Sequence, residues 1–240
     1  MRQISTTSEY TLRDQERMRL APNYFQWQAR IVTRHLGSRV LEIGSGMGNF
    51  TRCLLDRQQV IAIDKDESCI LRLVERFGEH PNLIARPMDV LDPSFLEWKH
   101  YNLDSVVMLN VLEHIADDAR ALQHAHAVLP KGGNLILLLP AFESLYGPID
   151  ANLGHYRRYS KGSIRRLVES QGFRVRRLRY FNSVGWFGWW VNARISRKTE
   201  QSEEQIRFFD SRIVPLLSRL EAAIEPPIGQ SLFAVLEKAG

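Results

Sequence analysis

The segment Val40-Leu41-Glu42-Ile43-Gly44-Ser45-Gly46-Met47-Gly48 constrains this chain more than any other. Its first residues are apolar apart from Glu42, the pattern of a strand covered on both faces. Glycines at alternate positions then permit positive φ and close backbone approach. A helix starting at Asn49 would aim its unpaired N–H groups at whatever sits in the loop. Such a unit cradles an anionic group, either a phosphate or an amino-acid carboxylate. The dinucleotide fingerprint would place its third glycine where this chain has Asn49. An NAD-dependent oxidoreductase is therefore disfavoured.

The rest of the chain repeats the alternation. Val60–Asp64, Leu83–Val90, Leu103–Leu109 and Asn134–Leu139 read as strands, several of them continuously apolar. Between them, Asn49–Asp56, Glu67–Phe77 and Asp117–Leu129 read as helices. Strands alternating with helices predict a parallel sheet with helices on both faces. Residues 1–20 are polar and aperiodic, and read as a loose arm or lid. A helix follows, with Tyr24, Trp27, Ile31 and His35 on one face and Gly37 as its stop. Pro140–Tyr159 reads as a long loop, of the kind that carries function. Beyond it come a basic helix Ser160–Gln171, a strand Phe173–Phe181, and a helix opened by Ser202-Glu203-Glu204-Gln205 that Pro215 should kink. Ser231–Lys238 is the last strand. One domain is expected over 1–240: an N-terminal arm and helix (1–37), a cofactor-binding core (38–182), an apolar and helical insertion (183–230) and a final strand (231–240).

Carboxylates at strand ends sharpen the ligand. Asp64 follows Gly44 by twenty positions and ends the second strand. An acid there can accept both hydroxyls of an adenosine ribose, while Asp66 reads as a helix cap. Asp89 ends the third strand on the same sheet edge, where it could accept from an adenine amino group with Met88 or Val90 against the ring.

Taken in order, Val40–Gly48, Ile63-Asp64, Met88-Asp89-Val90, Leu109–Ile115 and Leu129-Pro130-Lys131-Gly132-Gly133 resemble the successive motifs of the class I S-adenosylmethionine-dependent methyltransferases. The resemblance spans roughly residues 20–182. It implies a Rossmann-like α/β fold with a seven-stranded, mostly parallel sheet whose last strand is antiparallel. It also implies S-adenosyl-L-methionine as cofactor, leaving as S-adenosyl-L-homocysteine. Cofactor contacts are expected at Glu42, Gly44, Gly46, Gly48, Asp64, Lys65, Met88, Asp89, Val90 and Asn110, with Tyr24 closing from the N-terminal helix. The stretch Asp150-x-x-x-Gly154-His155-Tyr156-Arg157-Arg158-Tyr159, followed by a helix, Gly172-Phe173 and Tyr180-Phe181-Asn182, resembles a narrower bacterial group often associated with sugar, lipid or secondary-metabolite pathways, a resemblance that fixes no substrate.

The catalytic candidates are His155, His114 and Glu113, each able to take a proton from a hydroxyl or amine acceptor. Asp150, Tyr156, Arg157, Arg158 and Trp186 are substrate-binding candidates, the arginines because a guanidinium clamps an acidic group in bidentate fashion.

Composition bounds the partners. The net charge is +5, and nine Lys or Arg lie between Tyr156 and Tyr180 against Glu169 alone. A solvated basic face is the plainest account of that run. Ser183–Val191 then places Trp186, Trp189 and Trp190 beside Phe187, which reads as buried packing, a pocket wall, a peripheral membrane foot or a dimer face. The expected acceptor is a small molecule, apolar, acidic or lipid- or sugar-linked. Nucleic acid is not expected, and an RNA methyltransferase or a non-catalytic binding module are the alternatives. Two cysteines, Cys53 and Cys69, form no CxxC pair, so no metal is expected. No signal peptide or apolar span is visible, and a reducing cytoplasm is expected. Monomer and homodimer both stay open.

Overall fold

Period-two alternation sorts the strand residues into two cores. Leu41 and Ile43, Ile61 and Ile63, Val106 and Met108, and Leu135, Leu137 and Leu139 join one buried cluster. Their alternates Val40, Val60, Val107, Ile136 and Leu138 join another. Successive side chains of a strand point to opposite faces, so the sheet between these clusters is covered on both sides. The computed structural model describes residues 7–200 and 202–239.

The strands are β1 (Arg39–Ile43), β2 (Gln59–Asp64), β3 (Leu83–Pro87), β4 (Ser105–Leu109), β5 (Asn134–Pro140), β6 (Phe173–Phe181) and β7 (Ser231–Lys238), in sheet order β3-β2-β1-β4-β5-β7-β6. β1 pairs in parallel with β2 and β4, with Leu41 opposite Ile61 and Val106. β7 runs antiparallel to both β5 and β6. The order reverses at β1 and β4, and the carboxyl ends of such strands form the crevice where α/β sheets bind ligands.

The helices are α1 (Thr7–Met18), α2 (Pro22–Val32), α3 (Glu67–Phe77), α4 (Asp118–Val128), α5 (Pro148–Leu153), α6 (Lys161–Ser170), α7 (Ser183–Val191), α8 (Glu203–Phe208) and α9 (Val214–Ala223). Ala121, Leu122 and Ala125 of α4 and Ile164 and Val168 of α6 pack on one face. Trp27, Ile31 and Val32 of α2 and Val214 and Leu217 of α9 pack on the other. Trp27 and Phe181 lie 4.1 Å apart between ring centroids and lock α2 onto β6.

Four local expectations need correction. The polar N-terminal stretch is helical from Thr7, and residues 1–6 of the expected arm lie outside the described residues. Asn49–Asp56 is no α-helix; only a 3-10 turn forms at Thr51–Cys53. There the Thr51 hydroxyl donates to the Glu42 carboxylate at 2.6 Å, and Gly48 enters the segment at a φ of +79°. The Pro140–Tyr159 loop holds α5 and is pinned at its ends, with Phe142 N–H donating to Tyr159 C=O at 2.9 Å and Tyr159 N–H to Pro140 C=O at 2.8 Å. Finally, the helix opened by Ser202 runs without a break to Ala223, and in place of a simple proline kink it carries a π-helical turn, Phe209–Ile213, just before Pro215. A proline inside a helix removes one N–H from the ladder, and such sites are where helices take irregular turns.

Candidate active site

The glycine loop at the end of β1 turns as its sequence requires. Gly44 and Gly46 have φ of +72° and +52°, and a Cβ on Gly44 would stand 2.3 Å from the Val111 side chain. The Gly44 and Ser45 amides donate to the Ile63 carbonyl at 2.8 and 2.9 Å. The Gly46 amide donates to Asp64 Oδ2 at 2.8 Å, and the Asp66 amide to Asp64 Oδ1 at 2.9 Å. Asp64 thus ties loop to strand end, while Asp66 accepts from the Ser68 amide as the N-cap of α3. Burial raises the Asp64 carboxyl, and the two amide hydrogen bonds oppose that rise.

Over the loop lies a cavity of about 240 Å³. Gly44, Ser45, Gly46 and Glu42 form its floor; Leu109, Asn110, Glu113 and His114 come from the end of β4; Asp14, Gln15 and Met18 of α1 close it from above. Tyr24 reaches it from α2, His155 and Arg158 from the loop after α5, and Trp189 from α7. Eight buried side-chain N or O atoms among the described residues have no hydrogen-bond partner, and four of them line this cavity: Asp14 Oδ1, Ser45 Oγ and both oxygens of Glu113. Buried polar groups are normally paired, so this concentration marks a place prepared for a polar ligand.

The wall beyond the loop carries the titratable groups. Glu113 is wholly buried. Burial pushes its carboxyl up to about 7, against the pull of the His155 and Arg158 charges. Burial likewise drives the His114 imidazole down to about 3, with the His155 and Lys65 charges adding to the fall. The His114 and His155 rings meet edge to face at 4.6 Å. His155 Nδ1 lies 2.8 Å from Asp150 Oδ1, which leaves Nε2 as its free nitrogen. Asp150 also accepts from Arg158 Nε at 2.9 Å and from Trp189 Nε1 at 3.3 Å. Burial would raise the Asp150 carboxyl, but hydrogen bonds from His155 and Arg158 and their charges hold it below the usual range. Burial pushes Glu42 up to about 8 and Asp14 up to about 6.

A family model described as a methyltransferase domain matches residues 14–178. The chain belongs to the class I methyltransferases. A Mycolicibacterium smegmatis protein named "Probable S-adenosylmethionine-dependent methyltransferase" is 29% identical over 153 residues, 61% of this chain and 56% of that protein. The chain therefore spans little more than half the length of that curated relative. Among solved structures, a SAM-dependent methyltransferase of Thermotoga maritima, described as a possible histamine N-methyltransferase, superposes with a TM-score of 0.64 at 19% identity, over 97% of this chain and 98% of that one. An S-adenosylmethionine-dependent methyltransferase of Mesorhizobium loti gives a TM-score of 0.58 at 16% identity, over 88% and 95%. At these identities the two superpositions speak for the fold.

In this chain the sequence candidates divide. Tyr24, Glu42, Gly44, Gly46, Asn110, Glu113, His114, His155 and Arg158 line the cavity together, and Asp150 stands directly behind His155 and Arg158. Gly48, Asp64, Lys65, Met88, Asp89 and Val90 lie outside its lining, along the carboxyl ends of β1, β2 and β3. Met88 Sδ accepts from Trp98 Nε1 at 3.0 Å, and Asp89 Oδ1 accepts the Leu91 amide at 2.8 Å. Tyr156 is exposed and off the cavity. Arg157 pairs with Asp118 of α4 at 2.6 Å, a carboxylate partner that competes with a substrate role. Trp186 packs against Phe142 and Phe187, while Trp189, three residues on, faces the cavity.

Asp14 and Gln15 are not among the sequence candidates, and Trp189 stands only within the Ser183–Val191 run, for which a pocket wall is one of the readings. Asp14 and Gln15 carry no apolar signal, because their polar side chains line a cavity instead of packing in a core. Only the helical phase of α7 separates Trp189 from Trp186. The basic run is largely engaged within the molecule: Arg176 holds Glu237 at 2.8 and 2.7 Å, Arg177 pairs with Glu225, and Arg179 donates to the Glu221 carbonyl at 3.1 Å. No helix among the described residues is long and apolar enough to cross a membrane.

Proposed function

We propose that this chain transfers a methyl group from S-adenosylmethionine to a hydroxyl or amine of a small-molecule acceptor held against Glu113. The unpartnered, fully buried Glu113 carboxylate at the cavity wall carries this reading. An O–H or N–H donor placed there satisfies a group the protein leaves unsatisfied.

The site suits the cofactor in its donor set. The Ser45 hydroxyl has no partner, the loop glycines leave no room for a Cβ, and the Met47 amide is held only by the exchangeable Gln15 side chain. Gly44, Gly46 and Ser45 would hold its amino-acid end, Asp64 the ribose, and Asp89, Met88 and Val90 the adenine. When bound, the cofactor supplies a methyl on a sulfonium, displaced in line by the acceptor's lone pair as the sulfur keeps the C–S electrons. The protein's own contribution is placement and dryness. Glu113 receives the acceptor's proton. His155, fixed by Asp150, and His114 orient the acceptor, and Tyr24 and α1 exclude water. Arg158 keeps Asp150 ionised and in place.

An acceptor screen with methyl-labelled cofactor tests this. A substrate should appear, and Glu113→Gln should cut kcat by at least about 100-fold while S-adenosylhomocysteine affinity stays within about twofold. Full turnover by Glu113→Gln would remove the assignment.

A second observation bears on where the acceptor resides. Phe187, Trp190 and Val191 of α7, which delivers Trp189 to the cavity, and Ile195 of the π-helical turn that follows it (Asn192–Ser196) are exposed, at 57%, 41%, 43% and 68%. Arg194, Arg197 and Lys198 stand in the same stretch. This rim favours a lipid-linked acceptor taken from an anionic surface. Flotation with phosphatidylglycerol vesicles checks it: wild type should float and Trp190→Ser should not. Absence of wild-type binding would confine the acceptor to water.

A further inference from the structure

Glu113, His114 and His155 each offer one ligating atom, and those atoms all lie within 4.8 Å of one another. Two imidazoles and a carboxylate form a donor set for first-row divalent cations, with metal–nitrogen and metal–oxygen distances of about 2.0–2.2 Å. Atoms around one such ion stand roughly 3–4 Å apart, so small side-chain rotations would close the set.

Three features separate this cluster from a chance grouping. The Glu113 carboxylate is fully buried and neither of its oxygens has a hydrogen-bond partner. His155 is backed by a carboxylate at its other nitrogen, with Nδ1 at 2.8 Å from Asp150 Oδ1, the outer-sphere arrangement that orients metal-bound histidines. Asp150 is itself immobilised by Arg158 at 2.9 Å and by the Gly147 amide at 3.0 Å. All three residues line the same cavity, so an ion held by them would have open positions toward the cavity.

We propose that Glu113, His114 and His155 bind one divalent first-row cation, zinc or a congener, and that its open position takes an oxygen or nitrogen of the methyl acceptor. The binding site goes beyond the methyl-transfer reading; the acceptor's ligation rests on it. One Glu113 oxygen meets the ion, and the second remains to receive the acceptor's proton. An acceptor with a hydroxyl, or with two adjacent donor atoms, matches such a site best.

The test uses the full chain, free of any tag, stripped of metal and titrated with Zn²⁺ by calorimetry and with Co²⁺ by visible absorption. One equivalent should bind, and the cobalt spectrum should show four- or five-coordinate nitrogen and oxygen ligation without a thiolate band. Glu113→Gln and His155→Gln should each weaken binding by more than the roughly 10- to 100-fold that loss of an outer-sphere partner brings, and His80→Gln, on the surface, should leave it unchanged. A substoichiometric titration, or one equivalent unaffected by both ligand variants, overturns the site. Turnover undiminished by chelator in a chain that does bind zinc overturns the acceptor's ligation and leaves the methyl-transfer reading standing. Zinc binding with no methyl transfer to any acceptor would leave the cation site standing and remove that reading.

Discussion

The side-chain carbonyl of Gln15 accepts the Met47 amide at 2.8 Å, so α1 is clasped to the glycine loop by one of the loop's own N–H groups. The Asn49 side-chain amide donates to the Gln15 main-chain carbonyl at 2.9 Å, and a Cβ on Gly46 would stand 2.1 Å from the Gln15 side chain. The loop that receives the ligand and the helix that covers it are therefore one hydrogen-bonded unit.

Gln15→Ala should open that clasp without unfolding the core. A net hydrogen bond contributes about 1 kcal/mol, so amide exchange at Met47 should quicken by about fivefold in the ligand-free protein. Exchange at Val107 in β4 should not change. Mass-spectrometric hydrogen exchange reads both, and an unchanged Met47 rate would show that α1 does not guard the loop.

Asp64 and Asp66 are two residues apart and do different work. Asp64 binds the Gly46 and Asp66 amides across the strand end, whereas Asp66 accepts from the Ser68 amide at 3.0 Å as a helix cap. Asp64→Ala should weaken S-adenosylhomocysteine binding by about 10- to 100-fold, the scale of a lost charge-assisted hydrogen bond. Asp66→Ala should leave that affinity within about twofold and reduce stability by about 1 kcal/mol. Calorimetry and urea unfolding separate the two. Equal losses of affinity would withdraw the ribose assignment.

The contrast between these two acids shows what the sequence made legible. Strand periodicity, the Gly44–Gly48 spacing and an acid at the end of β2 are local patterns, and each stands in the structure where its period placed it. Arg157 and Trp186 are different cases. The partner of Arg157 is Asp118, distant in sequence and brought near only by the packing of α4, and no spacing rule reads such a pair. The phase of α7 that turns Trp189 inward is set partly by Glu221, whose carboxylate accepts the Asn182 and Ser183 amides at 3.1 and 2.7 Å from α9. The helix expected after Gly48 fails for a related reason. Thr51 satisfies the buried Glu42 with its hydroxyl, and the backbone there turns tightly to bring it within reach.

Glu42 gives a prediction in pH. Burial, opposed only by the Thr51 hydroxyl, raises its folded pKa to about 8 from 4.5. Between those values the folded chain keeps a proton that the unfolded chain has released. Stability therefore falls as pH rises: Glu42's contribution is full below the unfolded value and is lost as pH passes the folded one. Glu42→Gln keeps an acceptor for Thr51 and removes the titration. Its unfolding free energy should be flatter across this window and exceed wild type by roughly 2 kcal/mol or more at about pH 9. A parallel pH dependence in the two proteins would mean that Glu42 is ionised throughout.

The N-terminus of α2 has no cap from its own flank, since Ala21 offers no side-chain oxygen. Asp210 supplies it from the π-helical turn between α8 and α9, accepting the Tyr24 amide at 2.8 Å and the Asn23 amide at 3.2 Å. A carboxylate at a helix start also meets the positive end of the helix dipole. The π turn brings Asp210, which is only 3% exposed, to this position, and a one-residue insertion of this kind re-aims a side chain that a regular helix would send elsewhere. Asp210→Ala would leave two amides without partners, so urea unfolding should show a loss of about 2–4 kcal/mol with an unchanged slope. Tyr24 stands in the first turn of α2 and lines the cavity, so the same variant should bind S-adenosylhomocysteine more weakly even where it is fully folded. Asp210→Asn, which keeps the acceptor oxygen and loses the charge, should recover at least half of both losses. Equal losses in the two variants would place the dipole term above the hydrogen bonds, and a loss below about 1 kcal/mol in Asp210→Ala would show that solvent caps α2 as well as Asp210 does.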